Sequence, residues 1–191
     1  MYLVIGLGNP GREYENTRHN LGFAAVEEVA QTLDIPELKF KHKCNALVGE
    51  AKLDGHKVIL AEPQTFMNLS GDAAIALSQW YKIPPENIIV IHDDVDLEPG
   101  EIKIKMGGGS AGHHGIESVT ARLGTPDFVR IRVGVGKGGA NDVSEHVLDD
   151  IPPSQRTSIN GAITNASDAV ISIITEGLNP AMNKFNGLRA S

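Results

Sequence analysis

Asn87-Ile88-Ile89-Val90-Ile91-His92-Asp93-Asp94 is the stretch whose reading decides the fold. Its apolar run is unbroken and strand-length, with no polar alternation. A strand of that kind is buried on both faces, as in parallel sheets covered by helices. The run ends in carboxylates at its C-terminal end, which is where open α/β sheets place their ligands.

Working outward, apolar strand-like runs cover Tyr2–Ile5, Ala46–Leu53, Lys57–Glu62, Ile102–Lys105 and Val129–Val135. Helical spacing covers 21–34, 71–82, 115–123 and 154–176, with a short last helix over 180–186. Alternation of the two predicts an α/β protein. Asp54-Gly55 reads as a two-residue hairpin turn, so one strand pair is antiparallel and the sheet is mixed. Ser154 is a candidate N-cap and Gly177 a helix stop. Gly107–Gly115 and Gly134–Gly139 are glycine-rich loops, and neither separates two cores. The expectation is a single domain over residues 1–191, a twisted mixed β-sheet flanked by helices.

Composition bounds the function. With 41% hydrophobic and 21% charged residues, the chain is an ordinary globular one. No apolar run approaches a membrane span, and the N-terminal region lacks the basic start of a secretory signal. Cys44 is the only cysteine, so no internal disulfide forms; a reducing cytoplasm is the expected compartment. Net charge is −7, yet residues 103–137 carry +4, six basic side chains against two acidic. An acidic body with one basic stripe suits a local polyanion contact.

Gly6, Gly8 and Gly11 match G-x-G-x-x-G after the first strand. A dinucleotide fingerprint runs straight into a helix and meets an acidic strand end about 20 residues on. Here Arg-Glu-Tyr-Glu-Asn-Thr-Arg-His-Asn follows, without an apolar stripe until Leu21, and Glu27 and Glu28 fall inside the helix. The segment instead supplies Asn9, Tyr14, His19 and Asn20. Its glycines are expected to turn the backbone so that Asn9 faces a site.

Four groups of residues could carry chemistry. Asp93 ends the buried strand and could hold a histidine during proton transfer; with Asp94 and Asp96 it could equally bind Mg²⁺. Asp94 and Asp96 otherwise read as a solvated turn. Phe66-Met-Asn68-Leu-Ser70-Gly71 offers the amide of Asn68, or a cap from Asn68 or Ser70 for the helix of Ile75, Leu77 and Trp80. Gly107–Gly115 permits close backbone approach to a ligand, but no phosphate-loop motif occurs, and adjacent His113 and His114 splay apart, which is poor spacing for one metal. Lys103 with Lys105, and Arg130 with Arg132, each share a strand face and could clamp phosphate. No G-x-S-x-G elbow is present. A histidine, a carboxylate and amide donors then point to activation of water against a labile ester.

Together these blocks resemble the bacterial peptidyl-tRNA hydrolase family. The resemblance rests on Gly6-Leu-Gly-Asn-Pro-Gly11, Tyr14, Thr17-Arg-His-Asn20, Phe66-Met-Asn-Leu-Ser-Gly71, His92-Asp93 with Asp96, Lys103-x-Lys105 and Gly107-Gly-Gly, in the family's order along the chain. It implies a cytoplasmic, monomeric esterase without metal or cofactor. Its substrate would be peptidyl-tRNA, met at the 3′ CCA end and the acceptor phosphates. By the family pattern His19 is the general base, Asp93 holds and polarises it, Asn9 separates peptidyl from aminoacyl substrate, and Asn68 orients substrate or water. Tyr14 and Phe66 would line the 3′-end site; Lys105 and Arg132 would grip phosphate, with Lys103 on their face. The family usually has Asn where this chain has His114, so His114 is expected to bind substrate or tRNA with a pH dependence of its own. Relatives of this fold also serve RNA splicing, so an RNA-binding module without hydrolysis is the rival reading.

Overall fold

In a computed structural model, residues 1–35, 41–138 and 143–190 are described. The strands are β1 (Tyr2–Gly6), β2 (Lys41–Lys43), β3 (Ala46–Leu53), β4 (His56–Pro63), β5 (Ile88–Asp94), β6 (Ile102–Met106) and β7 (Val129–Gly134). The helices are α1 (Leu21–Thr32), α2 (Ser70–Tyr81), α3 (His114–Leu123), α4 (Val143–Leu148), α5 (Pro153–Glu176) and α6 (Leu178–Phe185). Gly139 of the second glycine-rich loop lies outside the described residues.

The seven strands form one mixed sheet in the order β2-β3-β4-β1-β5-β7-β6. β4, β1, β5 and β7 run parallel; β2, β3 and β6 pair antiparallel at the two margins. All seven residues of β5 are buried. Ile89 and Ile91 join Val26, Val29, Ala166 and Val170 of α1 and α5 in one core. Ile88 and Val90 join Ala73, Leu77, Ile116 and Val119 of α2 and α3 in the other. Two-residue strand periodicity thus feeds two cores, which is why the run shows no polar alternation. Each such side chain contributes about 1.5–3 kcal/mol by leaving water.

Glycines let α1 close on the sheet. A Cβ on Gly6 would collide with the Gly22 carbonyl. Close approach, rather than turning, is therefore the role of Gly6, which corrects the sequence reading; Gly11 (φ 121°) alone of the three takes a left-handed turn conformation. Asp54 (φ 47°) and Gly55 (φ 76°) form the expected hairpin turn, both left-handed as a type I′ turn requires.

The caps differ from expectation. α2 starts after Leu69 with no side-chain cap, and Ser70 Oγ instead donates to the Met67 carbonyl at 2.8 Å. α5 begins at Pro153 rather than at a Ser154 cap; a first-turn proline needs no N–H partner. β2 has no apolar residue to announce it, and α4, six residues long, is too short to show a helical period.

The C-terminal segment seals one margin. Asn186 accepts from Ile104 N–H at 2.7 Å and donates to the Ile104 carbonyl at 3.0 Å, so one carboxamide mimics a neighbouring strand on β6.

After β1 the chain turns to α1 on one face, and after β4 to α2 on the other. Adjacent parallel strands whose connections leave to opposite faces open a crevice at their C-terminal ends.

Candidate active site

A cleft of about 600 Å³ occupies that crevice. Asn9 reaches it from the end of β1, Phe66, Met67 and Asn68 from the end of β4, and Asp93 from the end of β5. His19 enters from the 3-10 turn Arg18–Asn20, and His113 from the start of α3.

Asp93 is 1% exposed and its Oδ1 takes two contacts: His19 Nδ1 at 2.8 Å and His113 Nε2 at 2.9 Å. Burial pushes its carboxyl up, but the charges and hydrogen bonds of His113 and His19 outweigh that and hold it far below the usual carboxylate range. An ionised Asp93 accepts only, so each ring nitrogen facing it donates. His19 then carries its lone pair on Nε2, the nitrogen not engaged by Asp93. His113 Nδ1 accepts from Ile116 N–H at 3.3 Å and caps α3, so the same neutral tautomer satisfies both of its nitrogens. The sequence weighs His113 only as a metal ligand beside His114; spacing alone does not reveal that it and His19 converge on one carboxylate.

His92 stacks edge-on to His113 with ring centroids 4.7 Å apart. Its Nδ1 donates to the Asp93 carbonyl at 2.8 Å, while Nε2 is buried with no partner. Burial, helped by the neighbouring His113, pushes its imidazole well below the ordinary histidine range.

His19, Asp93 and His113 offer three ligand-type atoms within 4.8 Å of one another. Two nitrogens at hydrogen-bond distance from one oxygen share protons with it. Ligands around a tetrahedral zinc stand about 3.3 Å apart, given bonds of about 2.0–2.1 Å. Each histidine stands closer to Asp93 than that, at 2.8 and 2.9 Å, which is hydrogen-bond spacing and fits proton handling better than cation binding.

Asn9 is 7% exposed and fully braced. Its N–H donates to Asn20 Oδ1 at 2.8 Å, and Asn20 Nδ2 donates back to the Asn9 carbonyl at 2.9 Å. Asn9 Oδ1 accepts from Met67 N–H at 2.8 Å. That bond fixes the amide orientation and leaves Nδ2 as a donor for the cleft it lines. Asn20, grouped in the sequence with Asn9 and His19 but given no role there, is a backbone brace. Asn68 and Phe66 are exposed at the rim. Tyr14 is half-buried in its own 3-10 turn and is not among the residues lining the cleft.

The basic pairs lie on one face of β6 and β7, because Lys103 pairs with Arg132 and Lys105 with Arg130 across the antiparallel ladder. Their roles differ. Arg132 Nε donates to Asp94 Oδ2 at 2.6 Å, and Asp94, 8% exposed, lines the cleft. Asp94 is thus a buried partner rather than a solvated turn. Arg130 is 1% exposed and spends both terminal nitrogens on the carbonyls of Gly109 and Gly108, each at 2.7 Å. It anchors the glycine loop that leads to His113 and has no face left for a phosphate clamp, which corrects the sequence reading. Burial, then Arg130 and Arg132, push the Lys105 amine below its ordinary value. Gly108 (φ 95°) lies so near the Lys105 amine that a Cβ would come within 2.8 Å of it.

His114 points away from its neighbour, as expected for adjacent positions. It is exposed, and its Nδ1 lies 3.2 Å from Glu117 Oε2.

A buried carboxylate orienting a histidine in a cleft, with a fixed amide donor beside it, is the apparatus of a hydrolase that uses water as nucleophile. The peptidyl-tRNA hydrolase family model matches residues 3–191, and the chain belongs to that family. The peptidyl-tRNA hydrolase of Thermoanaerobacter sp. strain X514 is 49% identical over 187 residues, covering 98% of this chain and 100% of that one. That of Thermodesulfovibrio yellowstonii is 45% identical over 190 residues, with 98% and 100% coverage. Among solved structures, the Acinetobacter baumannii peptidyl-tRNA hydrolase superposes with a TM-score of 0.92 at 37% identity, covering 100% of this chain and 97% of that one.

Proposed function

We propose that the protein hydrolyses the ester joining a peptide to the 3′ end of tRNA, returning tRNAs released early from ribosomes to use. The observation that carries this reading is the 2.8 Å contact between His19 Nδ1 and Asp93, which leaves Nε2 as a base. In the reaction, Nε2 takes a proton from water as its oxygen attacks the ester carbonyl. The resulting oxyanion takes a hydrogen bond from Asn9 Nδ2, and the same Nε2 proton passes to the departing ribose oxygen. Asp93 holds the tautomer and stabilises the imidazolium between the two transfers. No metal or cofactor enters these steps.

Around that centre, Asn68 orients substrate or water, and Phe66 and Tyr14 contact the terminal nucleotides of the CCA end. Lys105 and Arg132 grip acceptor phosphate, with Lys103 beside them and His114 at the loop. Lys103 and Lys105 add point charges, while Arg132 offers a planar fork. The domain, residues 1–191, works as a monomer in the cytoplasm.

The test is release of an N-blocked amino acid from charged tRNA in the presence of EDTA. Turnover is expected, and His19→Ala is expected to lose about 10²–10⁴-fold in rate while still binding tRNA. Binding without turnover in the parent protein would overturn the reading in favour of an RNA-binding module; turnover abolished by chelator would overturn the metal-free mechanism.

A further inference from the structure

Trp80 is the chain's only tryptophan and is 65% exposed. It follows buried Leu77 by one helical turn on α2, where a core position is expected, yet it stands in solvent. The Lys43 amine, from margin strand β2, sits 4.3 Å over the indole and 4.6 Å over the Tyr81 ring. Lys57, from β4, lies 5.3 Å over the Tyr81 ring.

Strand register gathers more charge here. Lys41 pairs with Val48, Lys43 with Ala46 and Lys52 with Lys57. Paired residues share a face and alternate residues return to it. All four lysines therefore stand on the face that carries Val48, Ala46 and Ile59 to the α2 core. Lys52 and Lys57 are directly opposed like charges, an arrangement that destabilises a bare sheet. Glu50 stands among them on the same face, bonded to Lys57 at 2.7 Å and to the Tyr81 hydroxyl at 2.6 Å. Lys82 adds a further exposed cation at the end of α2, held in the left-handed region at φ 56°. In a chain of net charge −7, this is a concentrated cationic surface with an open aromatic face.

We propose that this face binds single-stranded RNA, with a base stacked on the open side of Trp80 and phosphates on Lys41, Lys43 and Lys52. Stacking on an aromatic ring beside a basic track is how unpaired nucleic acid is held without sequence preference. The flanking side chains are cations rather than apolar residues, which suits a polyanion with flat faces better than a protein surface. β2 and β6 are opposite margins of the sheet, six strand spacings or about 29 Å apart. The site therefore shares a sheet face with Lys105 and Arg132 but lies at the opposite margin, and it does not depend on hydrolysis.

Tryptophan emission reports this residue alone, so the test needs no label. Titration with an oligouridylate of about 12 nucleotides at low salt is expected to quench emission saturably in the parent and equally in His19→Ala. Lys43→Glu should weaken binding about tenfold or more, and Trp80→Ala, followed by anisotropy of a labelled oligomer, about tenfold. Heparin, a polyanion without bases, should compete without quenching. Absence of quenching, an unchanged affinity in both variants, or emission changes that track protein concentration without RNA would overturn the proposal, the last in favour of self-association. Loss of quenching with intact ester hydrolysis would sink this site and leave the catalytic reading standing.

Discussion

His113 donates from Nε2 to Asp93 Oδ1 across 2.9 Å, on the same oxygen that holds His19. The two imidazoles, centroids 5.1 Å apart, share one buried anion. Asp93 is therefore pinned from two directions, by a 3-10 turn and by a helix start. His113→Asn keeps a capping acceptor for α3 but is too short to reach Asp93. The expected outcome is a kcat lower by about tenfold or more with an unchanged far-UV melt, since a hydrogen bond to a charged group contributes about 1.5–3 kcal/mol. A parent-like kcat would show that His19 alone suffices to place the carboxylate.

Asn9→Asp is a test of one atom. The acceptor toward Met67 N–H survives, while the donor facing the cleft becomes a second oxygen. Loss of about 10²–10³ in kcat/KM is expected, as for removal of an oxyanion donor, with native circular dichroism.

Asp94 fixes Arg132 at 2.6 Å and sits next to Asp93 in β5, so Arg132 and His19, the proposed phosphate cation and the proposed base, are held by consecutive residues. Asp94→Asn removes the charge that restrains Arg132. KM for full-length charged tRNA is expected to rise several-fold while kcat changes less. Equal effects on both constants would mean that Asp94 acts on the chemistry itself.

His92 supplies a pH dependence of stability. Its folded imidazole is held well below the ordinary range by burial, whereas the unfolded chain takes up a proton near pH 6.5. A depressed folded value means the contribution is full above about 6.5 and is lost as pH falls toward the folded value. His92→Gln should flatten this limb, by at most about 1.4 kcal/mol per pH unit relative to the parent, in urea melts between pH 7.5 and 5. Parallel curves would refute the assignment.

His114→Asn probes the loop. The imidazole contacts Glu117 at 3.2 Å and loses its acceptor when protonated, whereas an amide keeps both roles at every pH. Substrate binding that weakens on acidification is expected in the parent and not in the variant. Superimposable KM profiles from pH 5.5 to 8 would remove His114 from the site.

Much of this arrangement was legible in the chain. The unbroken run 88–91 announced a central strand, and Asp54-Gly55 a hairpin. The resemblance paired His19 with Asp93 before any distance was known. What stayed hidden depends on neighbours brought by the fold. Lys41-His42-Lys43 has no apolar residue to mark it as a strand, because its stability comes from pairing with β3. Alternation put Arg130 and Arg132 on one face, but it could not say that the Gly108 and Gly109 carbonyls would bury the first and Asp94 restrain the second. Trp80 sits at a core spacing and is exposed all the same, because helical periodicity gives direction and not what lies opposite.

Asn186 has a consequence for the order of events during synthesis. Until that residue emerges and docks, the outer side of β6 presents a bare N–H and carbonyl at Ile104, an adhesive strip for any other nascent strand. The basic strand is thus finished last, more than 80 residues after it is made. A chain stalled between residues 148 and 186 would carry every residue that lines the cleft and still lack the closure that keeps its sheet from pairing with a stranger.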